Sequence, residues 1–580
     1  MAATAKVIPL TPVPRRLRSQ KVQELLREST QIMAEMKNDL STWVPHWRDI
    51  TDYMLPWRGV YMTEGAVPNI GSKRHQHVVN GTAKRALRTL AAGMQGGLAS
   101  PSRPWFVLTL RDKELAKYGP VKQWLHDVQT RLYALLNESN FYTEIHELYE
   151  ELSGFGTGMM YVQPNGRMGV RFKSFTIGSY MLACDQFGIP DSILRMEWQT
   201  VRQLAQRFGM DALPQDIRLN MKDSPKTRLQ YYQLNHLVMP NEDFSGAGLA
   251  NIDMPYRSIW WIDGKTDQAL RISGFEGFPG AAARWNTTGS HTYGNSPGMD
   301  VLADVKELQR CCQDLSIGRN KQVDPPMVTA SGFQRMLQTF AGGHNEPPNP
   351  LSAQHGFRKL YDVQLNLEHA AAQRQDLIME IREGLYNDLF LMLQDRNPKT
   401  ATEVAEMHEE KLMMLGPVIE RQFFELLDPV LGRTYSIAER QGLLPPMPDE
   451  LDGMTLEIEY KSLLAQAQKL VGVDSIRSYV GFIGELAATQ LNLQMPPTAW
   501  DNVDVDEIAL AFHDSVGAPP KLQRTKDMIE KIRRQRAQQQ AAAQAQQQEQ
   551  EQLAKMQAMS QMDTSEGNAL ADLKQSMTGV

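Results

Sequence analysis

The stretch SHTYGNSPGMDVLADVKELQRCCQDLSIGRNKQVDPP, residues 290 to 326, constrains the fold of this chain more than any other segment. A loop of Gly, Asn, Ser and Pro leads into a helical pattern that stops at a pair of prolines. Ser296 suits the N-cap and Pro297 the first helical position, because a serine hydroxyl accepts a free backbone N–H and proline has none to satisfy. A helix from Pro297 to about Lys321 would span about 37 Å at about 1.5 Å per residue.

A second long helix is predicted after a Pro- and Gly-rich excursion at 323–360. The segment VQLNLEHAAAQRQDLIMEIREGLY returns with apolar residues on one helical stripe. Two long helices therefore carry a small module away from the rest of the chain and back. This layout is unusual for a self-contained globule and is typical of a spoke in a ring.

Both long helices carry apolar residues at the three- and four-residue spacing of a heptad. We expect these stripes to pack against near-parallel helices of neighbouring copies, so that Asp at Val305 and Leu308 would leave the chain soluble but prevent assembly. The stripe residues are Val301, Val305, Leu308, Cys312 and Leu315 on the first helix, and Leu367, Ala371, Ile378 and Ile381 on the second.

The first half of the chain has the pattern of an α+β fold. Helical periodicity is present at about 20–55, 78–98 and 117–153, and alternation typical of strands runs from about 103 to 275. Asn165-Gly166 and Asp263-Gly264 predict tight hairpin turns, since such pairs adopt positive φ angles readily. We therefore expect helices that frame an antiparallel sheet.

The second half begins with an apolar loop, predicted at 386–398, followed by a long helix that Pro417 and Pro429 should kink. Further helices are predicted at about 461–493 and 504–514. The segment KLQRTKDMIEKIRRQRAQQQ has seven basic and two acidic residues and precedes an Ala/Gln tract that is either helical or disordered. Two interpretations of the basic segment stay open, namely contact with DNA phosphates and a solvated helix face.

Composition limits the possible partners and compartments. The formal net charge of -6 gives no overall attraction to nucleic acid or to anionic membranes, so any DNA contact must be local. Three cysteines, of which two are adjacent, do not indicate a disulfide framework. Since no signal peptide or bilayer-spanning run is evident, we expect a soluble protein made in a cytoplasm.

Three short motifs resemble catalytic signatures but lack their essential partners. DGKT at 263–266 would need a glycine at the position of Ile259 to form a phosphate-binding loop, and a hairpin turn is favoured. GFGTG at 154–158 precedes a strand, whereas dinucleotide-binding loops open a helix. HELYE at 146–150 lacks the second histidine of a zinc protease. We therefore predict no enzyme, no metal and no cofactor.

Taken in order, YGNSPGMDVLADVKELQ, the excursion, the return helix and KTATEV resemble the portal, or head-to-tail connector, proteins of short-tailed bacteriophages. GTAKRALRTLAAGMQGGLASPSRPWF is similar to the early segment of the same family, so that the resemblance covers about residues 20 to 515. It implies a ring of twelve copies at one capsid vertex of the virion, assembled in the host bacterial cytoplasm. Genome DNA would pass through the ring for packaging and ejection.

The resemblance also implies a division of the chain into named regions. In order these are a flexible arm (1–19), a wing of helices and antiparallel sheet (20–297), a stem helix (298–322), a clip (323–362), a second stem helix (363–385), a tunnel loop (386–398), a long kinked wing helix (399–440), a helical crown (441–520) and a basic, then Gln/Ala-rich tail (521–580).

The partners implied are further copies of the chain, double-stranded DNA held non-specifically, the terminase motor, capsid or scaffolding protein, and tail adaptor proteins. Arg396, Lys399 and Asn387 are the candidates for the DNA channel, with Arg396 and Lys399 forming basic rings. Two alternatives come from other classes of protein. One is another virion structural protein, such as a tail adaptor or internal core protein, and the other is a virion-associated enzyme.

Overall fold

The computed structural model describes residues 19–62, 76–223, 225–245, 253–265, 268–324, 327–329, 357–359, 367–391, 415–451, 453–460, 478–490, 503–504, 506–509 and 526–560. The chain forms two compact units, Met1–Gln468 and Lys469–Val580. Among the described helices, none has both the length and the apolar character that a membrane crossing requires.

Helices dominate the beginning of the first unit. They are α1 (Ser19–Ser41), α2 (Val44–Tyr53), a 3-10 helix (Pro56–Met62), α3 (Thr82–Leu98), α4 (Lys113–Lys117), α5 (Gly119–Glu138) and α6 (Phe141–Phe155). The prediction of one helix over 117–153 is wrong, because the chain breaks at Ser139 and Asn140. The Asn140 side chain bonds both the N–H and the C=O of Phe172, at 3.0 and 2.9 Å. These bonds tie the break to a strand.

Two antiparallel sheets follow, in agreement with the α+β prediction. A five-stranded sheet has the order β4 (Tyr180–Cys184), β5 (Pro190–Thr200), β6 (Tyr231–Pro240), β7 (Tyr256–Ile262) and β8 (Arg271–Phe275). A three-stranded sheet has the order β3 (Gly169–Phe175), β2 (Thr157–Asn165) and β9 (Gly280–Arg284). Helices α7 (Val201–Phe208) and α8 (Gln215–Asp223) connect β5 to β6.

Both predicted pairs of strands exist, but β7 ends at Ile262 and β8 begins at Arg271, so the prediction of a tight hairpin at Asp263-Gly264 is wrong. Gly264 has a φ of +72° in a turn that the Lys265 N–H closes on the Ile262 carbonyl at 3.0 Å, at the start of this longer connection. In the β2–β3 turn the positive φ, also +72°, belongs to Gly169 and not to Gly166. There Asn165 accepts the Arg167 N–H at 2.9 Å, so its side chain closes the turn without a left-handed residue at 166.

The segment that the sequence predicts to be a stem follows the second sheet, and we keep that name for it. Its elements are α9 (Pro297–Asp300), α10 (Leu302–Val323), β10 (Met327–Thr329), β11 (Phe357–Lys359), α11 (Leu367–Gly384) and α12 (Asn387–Leu391). The strands β10 and β11 pair in antiparallel fashion. The predicted tunnel loop is wrong for its first residues, because 387–391 form the helix α12, and the rest of that loop lies outside the described residues.

A long helix and one more strand complete the first unit. The helix is described from 415, passes through a π-helical turn (Phe423–Leu427) and ends as α13 (Asp428–Arg440). Strand β12 (Leu456–Tyr460) pairs with β1 (Phe106–Leu110). The predicted start of a helical crown at 441 is therefore too early, since the alternating Leu456, Ile458 and Tyr460 suit a strand that joins the first unit.

The second unit is helical where it is described. It contains helices at 478–490 and 506–509 and the 35-residue helix α14 (Lys526–Ser560). Ile483 and Ala487 form a small buried cluster against which Val503 packs. Arg533 on α14 pairs with Asp506 at 2.6 Å. The Ala/Gln tract is thus helical over its described part, and that part of α14 is largely exposed.

Candidate functional site

The stem begins at an N-cap that fits the sequence prediction. The Ser296 hydroxyl oxygen accepts the Met299 N–H at 3.0 Å and donates its own proton to the Gly154 carbonyl at 2.7 Å. Ser296 is buried, so the cap both starts the helix and fastens it to α6. A turn at Val301 separates the short helix α9 from α10, which is the one interruption of the predicted helix.

Helices α10 and α11 lie side by side in antiparallel orientation. Directly before α10, the Val301 side chain occupies the space where a side chain on Gly384, at the end of α11, would lie. Further along α10, Glu307 accepts a hydrogen bond from Gln373 at 3.4 Å. Later residues of α10 therefore contact earlier residues of α11, as in a helical hairpin.

The apolar stripe is buried within its own chain at the base of this hairpin. Val305, Leu308 and Ile381 have no exposed surface, and Val301 is 4% exposed. The prediction that Val305 and Leu308 face neighbouring copies is therefore wrong, because the first unit needs their burial for its own core. Farther out, Cys312, Leu315 and Ile378 are half-buried and Ala371 is exposed, and the Leu367 side chain lies outside the described residues.

The distal half of the hairpin is exposed in the single chain. Ile317 on α10 is 44% exposed and Val323 is 81% exposed. On α11, residues 371–376 are all exposed. The stem thus has a base that is part of a core and a distal half that presents apolar side chains to the surroundings.

Gln309 holds the base of the stem to the start of α3, a contact that sequence reasoning missed. Its side-chain oxygen accepts the N–H groups of Val79 and Asn80 at 2.8 and 2.7 Å, and its amide donates to the Asn80 carbonyl at 2.8 Å. Asn80 in turn accepts the Thr82 N–H at 2.9 Å, next to the first turn of α3. The available signal in the sequence was an amide directly beside the apolar stripe, because an amide that becomes buried there requires partners.

A left-handed residue joins α11 to α12. Tyr386 has a φ of +54°, which is rare for a residue with a side chain, and its ring lies 6.2 Å from that of Trp285. In α12, Leu389 is buried and the Phe390 ring covers Gly93 on α3. Only glycine fits there, because a Cβ at residue 93 would overlap the ring. The short helix α12 is thereby packed against α3.

The three candidate channel residues have different outcomes. Asn387 is 5% exposed in α12, so its side chain does not face a channel, and that prediction does not agree with the structure. It is buried because it lies in the short helix α12, which packs on α3. Arg396 and Lys399 lie outside the described residues.

A buried ion pair fixes the π-helical turn of the long helix. Glu425 accepts hydrogen bonds from Arg284 Nη2 at 2.6 Å and Nε at 3.2 Å, and from the Arg284 backbone N–H at 3.0 Å. Both side chains are less than a tenth exposed. A π turn inserts one extra residue into a helix and changes the direction of the neighbouring side chains. Here Glu425, which bonds Arg284 of β9, lies within that turn.

The motifs that resemble catalytic signatures have structural roles. Gly156 ends α6 in the left-handed conformation at a φ of +76°, directly before β2. Glu150, the last residue of HELYE, pairs with Arg58 at 2.8 Å. Asp263-Gly264 lies in the turn at the start of the β7–β8 connection. Among the described residues no group of His, Cys, Asp and Glu has the arrangement of a metal site.

Comparison with known proteins gives matches over almost the whole chain. A family model described as "Bacteriophage head to tail connecting protein" matches residues 26–523. The portal protein of Salmonella phage epsilon15 is 36% identical over 542 residues, which cover 93% of this chain and 96% of that protein. The probable portal protein of Bordetella phage BPP-1 is 34% identical over 549 residues, covering 94% and 97% respectively.

Solved structures give only weak likenesses. A chain from the neck of an empty gene transfer agent particle covers 72% of this chain and 91% of its own length, with a TM-score of 0.33 and 12% identity. A chain from the virion of the native particle covers 76% and 99%, with a TM-score of 0.31 and 13% identity.

Proposed function

Because this chain belongs to the family of bacteriophage head-to-tail connecting proteins and is a portal protein, we propose that its copies form a ring around an open axis at one vertex of the capsid. The ring is the channel through which genome DNA enters and leaves the head, and it joins the head to a short tail. Twelve copies form this ring. Each copy contributes its α10–α11 hairpin to the wall of the channel.

The observation that carries this proposal is the contrast between the two ends of the hairpin. Its base is fixed by the Ser296 cap, by Gln309 and by the burial of Val305. Its distal half presents Ile317 and Val323 to solvent. A neighbouring copy in a ring would cover these exposed apolar side chains through a repeated heterologous contact.

The charge of the chain is compatible with a conduit for DNA. A channel must hold DNA loosely, since each phosphate bound by Lys or Arg strengthens attachment and would slow translocation. A net charge of -6 limits such attachment. In this proposal Arg396 and Lys399 provide the local basic contacts, and residues 323–362 form the clip.

The protein acts as a structural component of the virion and has no catalytic role of its own. A separate terminase supplies the ATP hydrolysis that drives packaging. Its partners in the virion and during assembly are capsid or scaffolding protein and tail adaptor proteins. Assembly takes place in the cytoplasm of the host bacterium.

Sedimentation velocity of the purified full-length chain tests the proposal. The expected result is one species many times heavier than the 65.6 kDa chain, present across a wide range of protein concentration. A chain that sediments as a monomer throughout that range would count against ring formation.

A further inference from the structure

A group of charged side chains lies between two hydrophobic cores on one face of the five-stranded sheet. The larger core includes Tyr161 and Phe175, and the smaller one includes Phe208 and Trp260. Between them lies a set of residues that we name the arginine seam. It consists of Arg195, Glu197, Arg207, His236 and Arg271.

The register of the sheet places three residues of the seam in one row with Trp260, while Arg207 comes from α7. Arg195 on β5 is opposite His236 on β6, and His236 is opposite Trp260 on β7. Trp260 is in turn opposite Arg271 on β8. Directly opposed residues of antiparallel strands project from the same face, so these side chains are neighbours through the fold and not through sequence proximity.

Aromatic rings hold the seam side chains in place. The His236 ring stacks on Trp260 with 3.6 Å between centroids and 6° between planes. The Arg207 guanidinium lies 4.1 Å from the Trp260 centroid, and that of Arg271 lies 5.4 Å from the Phe208 centroid. Each guanidinium over a ring face gains cation–π attraction, so the positive groups are positioned before any ligand arrives.

The seam has an excess of positive charge. Glu197 bonds Arg195 and, at 3.2 Å, Arg207. Arg271 has no ion pair with any residue in the described part of the chain. Burial and the nearby arginines hold the pKa of His236 well below its usual value, so its ring is neutral. Three arginines and one glutamate then give the seam a net charge of about +2.

Two buried nitrogen atoms of the seam also lack partners. Arg195 Nε and His236 Nδ1 make no hydrogen bond to the residues that the structure describes, although both side chains are more than nine-tenths buried. Buried polar atoms without partners are uncommon in folded proteins. Uncompensated positive charge and unused nitrogen atoms therefore occur in the same place.

We propose that the arginine seam binds a phosphate group. A phosphate carries roughly -1.5 to -2 charges at pH 7, which matches the excess charge of the seam, and the flat guanidinium fork suits phosphate oxygens. Access is from the side of Arg207, whose side chain is 31% exposed. This proposal does not rest on ring formation.

The site is tested by titrating the full-length protein with inorganic phosphate at constant ionic strength. Calorimetry and Trp fluorescence measure the binding. The expected result is saturable binding of one phosphate per chain. We expect R207Q/R271Q to bind at least tenfold more weakly. The control variant R202Q changes an exposed arginine on the same helix and should bind as the unchanged chain does.

Two further experiments identify the source of the phosphate and control for loss of the fold. If a short DNA duplex displaces inorganic phosphate from the unchanged chain, the site takes a phosphodiester; if it does not, the site takes the free ion. If R207Q/R271Q loses its fold, R207K/R271K keeps the charge but not the flat fork, and should fold and bind more weakly. The absence of saturable binding, or equal affinity in the unchanged chain and a folded seam variant, would overturn the proposal.

Discussion

Arg284 and Glu425 are separated by 141 positions in the sequence and form an ion pair that is almost fully buried. Arg284 ends β9, and Glu425 lies in the π-helical turn of the long helix. Arg284 also donates to the Gly188 carbonyl at 2.8 Å, in the turn between β4 and β5. One guanidinium thus connects the long helix to both sheets.

Replacing Glu425 by Gln should destabilise the first unit by about 3–5 kcal/mol, since it leaves the buried Arg284 charge without a counter-charge. Chemical denaturation followed by Trp fluorescence measures the loss. The matched control is E276Q, which removes the exposed pair of Arg440 and Glu276 at 3.2 Å and should cost at most about 1 kcal/mol. Equal effects of both substitutions would show that the buried pair does not fix the helix.

Asp substitutions at the two ends of the stem should have opposite consequences. V305D buries an unpaired carboxylate in a core position without exposed surface, so the chain should unfold or become insoluble. I317D/V323D changes exposed positions and should keep the fold, as measured by circular dichroism, while reducing assembly in sedimentation. A soluble, folded V305D chain would contradict the burial of Val305 in the core. Full assembly of I317D/V323D would show that Ile317 and Val323 do not contribute to the contact between copies.

Two glycines of α3 provide a test of how α12 is packed. A Cβ at Gly93 would overlap the Phe390 ring, whereas Gly96 has open space around it. G93A should therefore lower the thermal midpoint, and F390A in the G93A background should recover part of the loss. G96A should be neutral or stabilising by up to about 1 kcal/mol, since alanine favours a helix over glycine. A neutral G93A would mean that α12 does not pack on α3 in solution.

Stability should fall as the pH rises from about 4.5 to 7 because of Glu151. Burial raises the pKa of this carboxyl to about 7, from 4.5 in the unfolded chain, although Arg58 lies 3.1 Å away. Between these two pKa values the folded chain retains a proton that the unfolded chain has lost. Each pH unit therefore removes about 1.4 kcal/mol from the free energy of unfolding, and the loss reaches about 3 kcal/mol by pH 7.

The variant E151Q isolates this effect, because an amide keeps the hydrogen bond from the Ile177 N–H but does not titrate. Thermal unfolding at pH 5 and pH 8 should show a smaller difference for E151Q than for the unchanged chain. An identical pH dependence of the two proteins would assign the titration to other groups.

Local signals in the sequence predicted much of the stem. The Ser296 cap, the Pro297 helix start and the 3.5-residue periodicity of α10 depend on neighbours within a few positions, so they are visible without a structure. The same holds for the positive φ of Gly264. The break at Ser139 was missed because Asn140 leaves the helix to bond Phe172, a partner 32 residues away.

What the stripe contacts was not predictable from its spacing. A heptad pattern shows that Val305 and Leu308 are buried, but it does not distinguish burial in the same chain from burial against another copy. The contacts of Gln309 and of the Arg284–Glu425 pair were missed for a similar reason. Gln309 is 230 positions from Val79 in the sequence, and Arg284 is 141 positions from Glu425. The arginine seam likewise depends on strand register and on the packing of α7 against the sheet.

Electron microscopy of the purified full-length protein shows whether its copies form a ring. We expect rings of uniform size with an open axial hole, in which the α10–α11 hairpins of adjacent copies stand side by side around the axis. Single particles of one chain, or closed assemblies without an axial opening, would contradict ring formation.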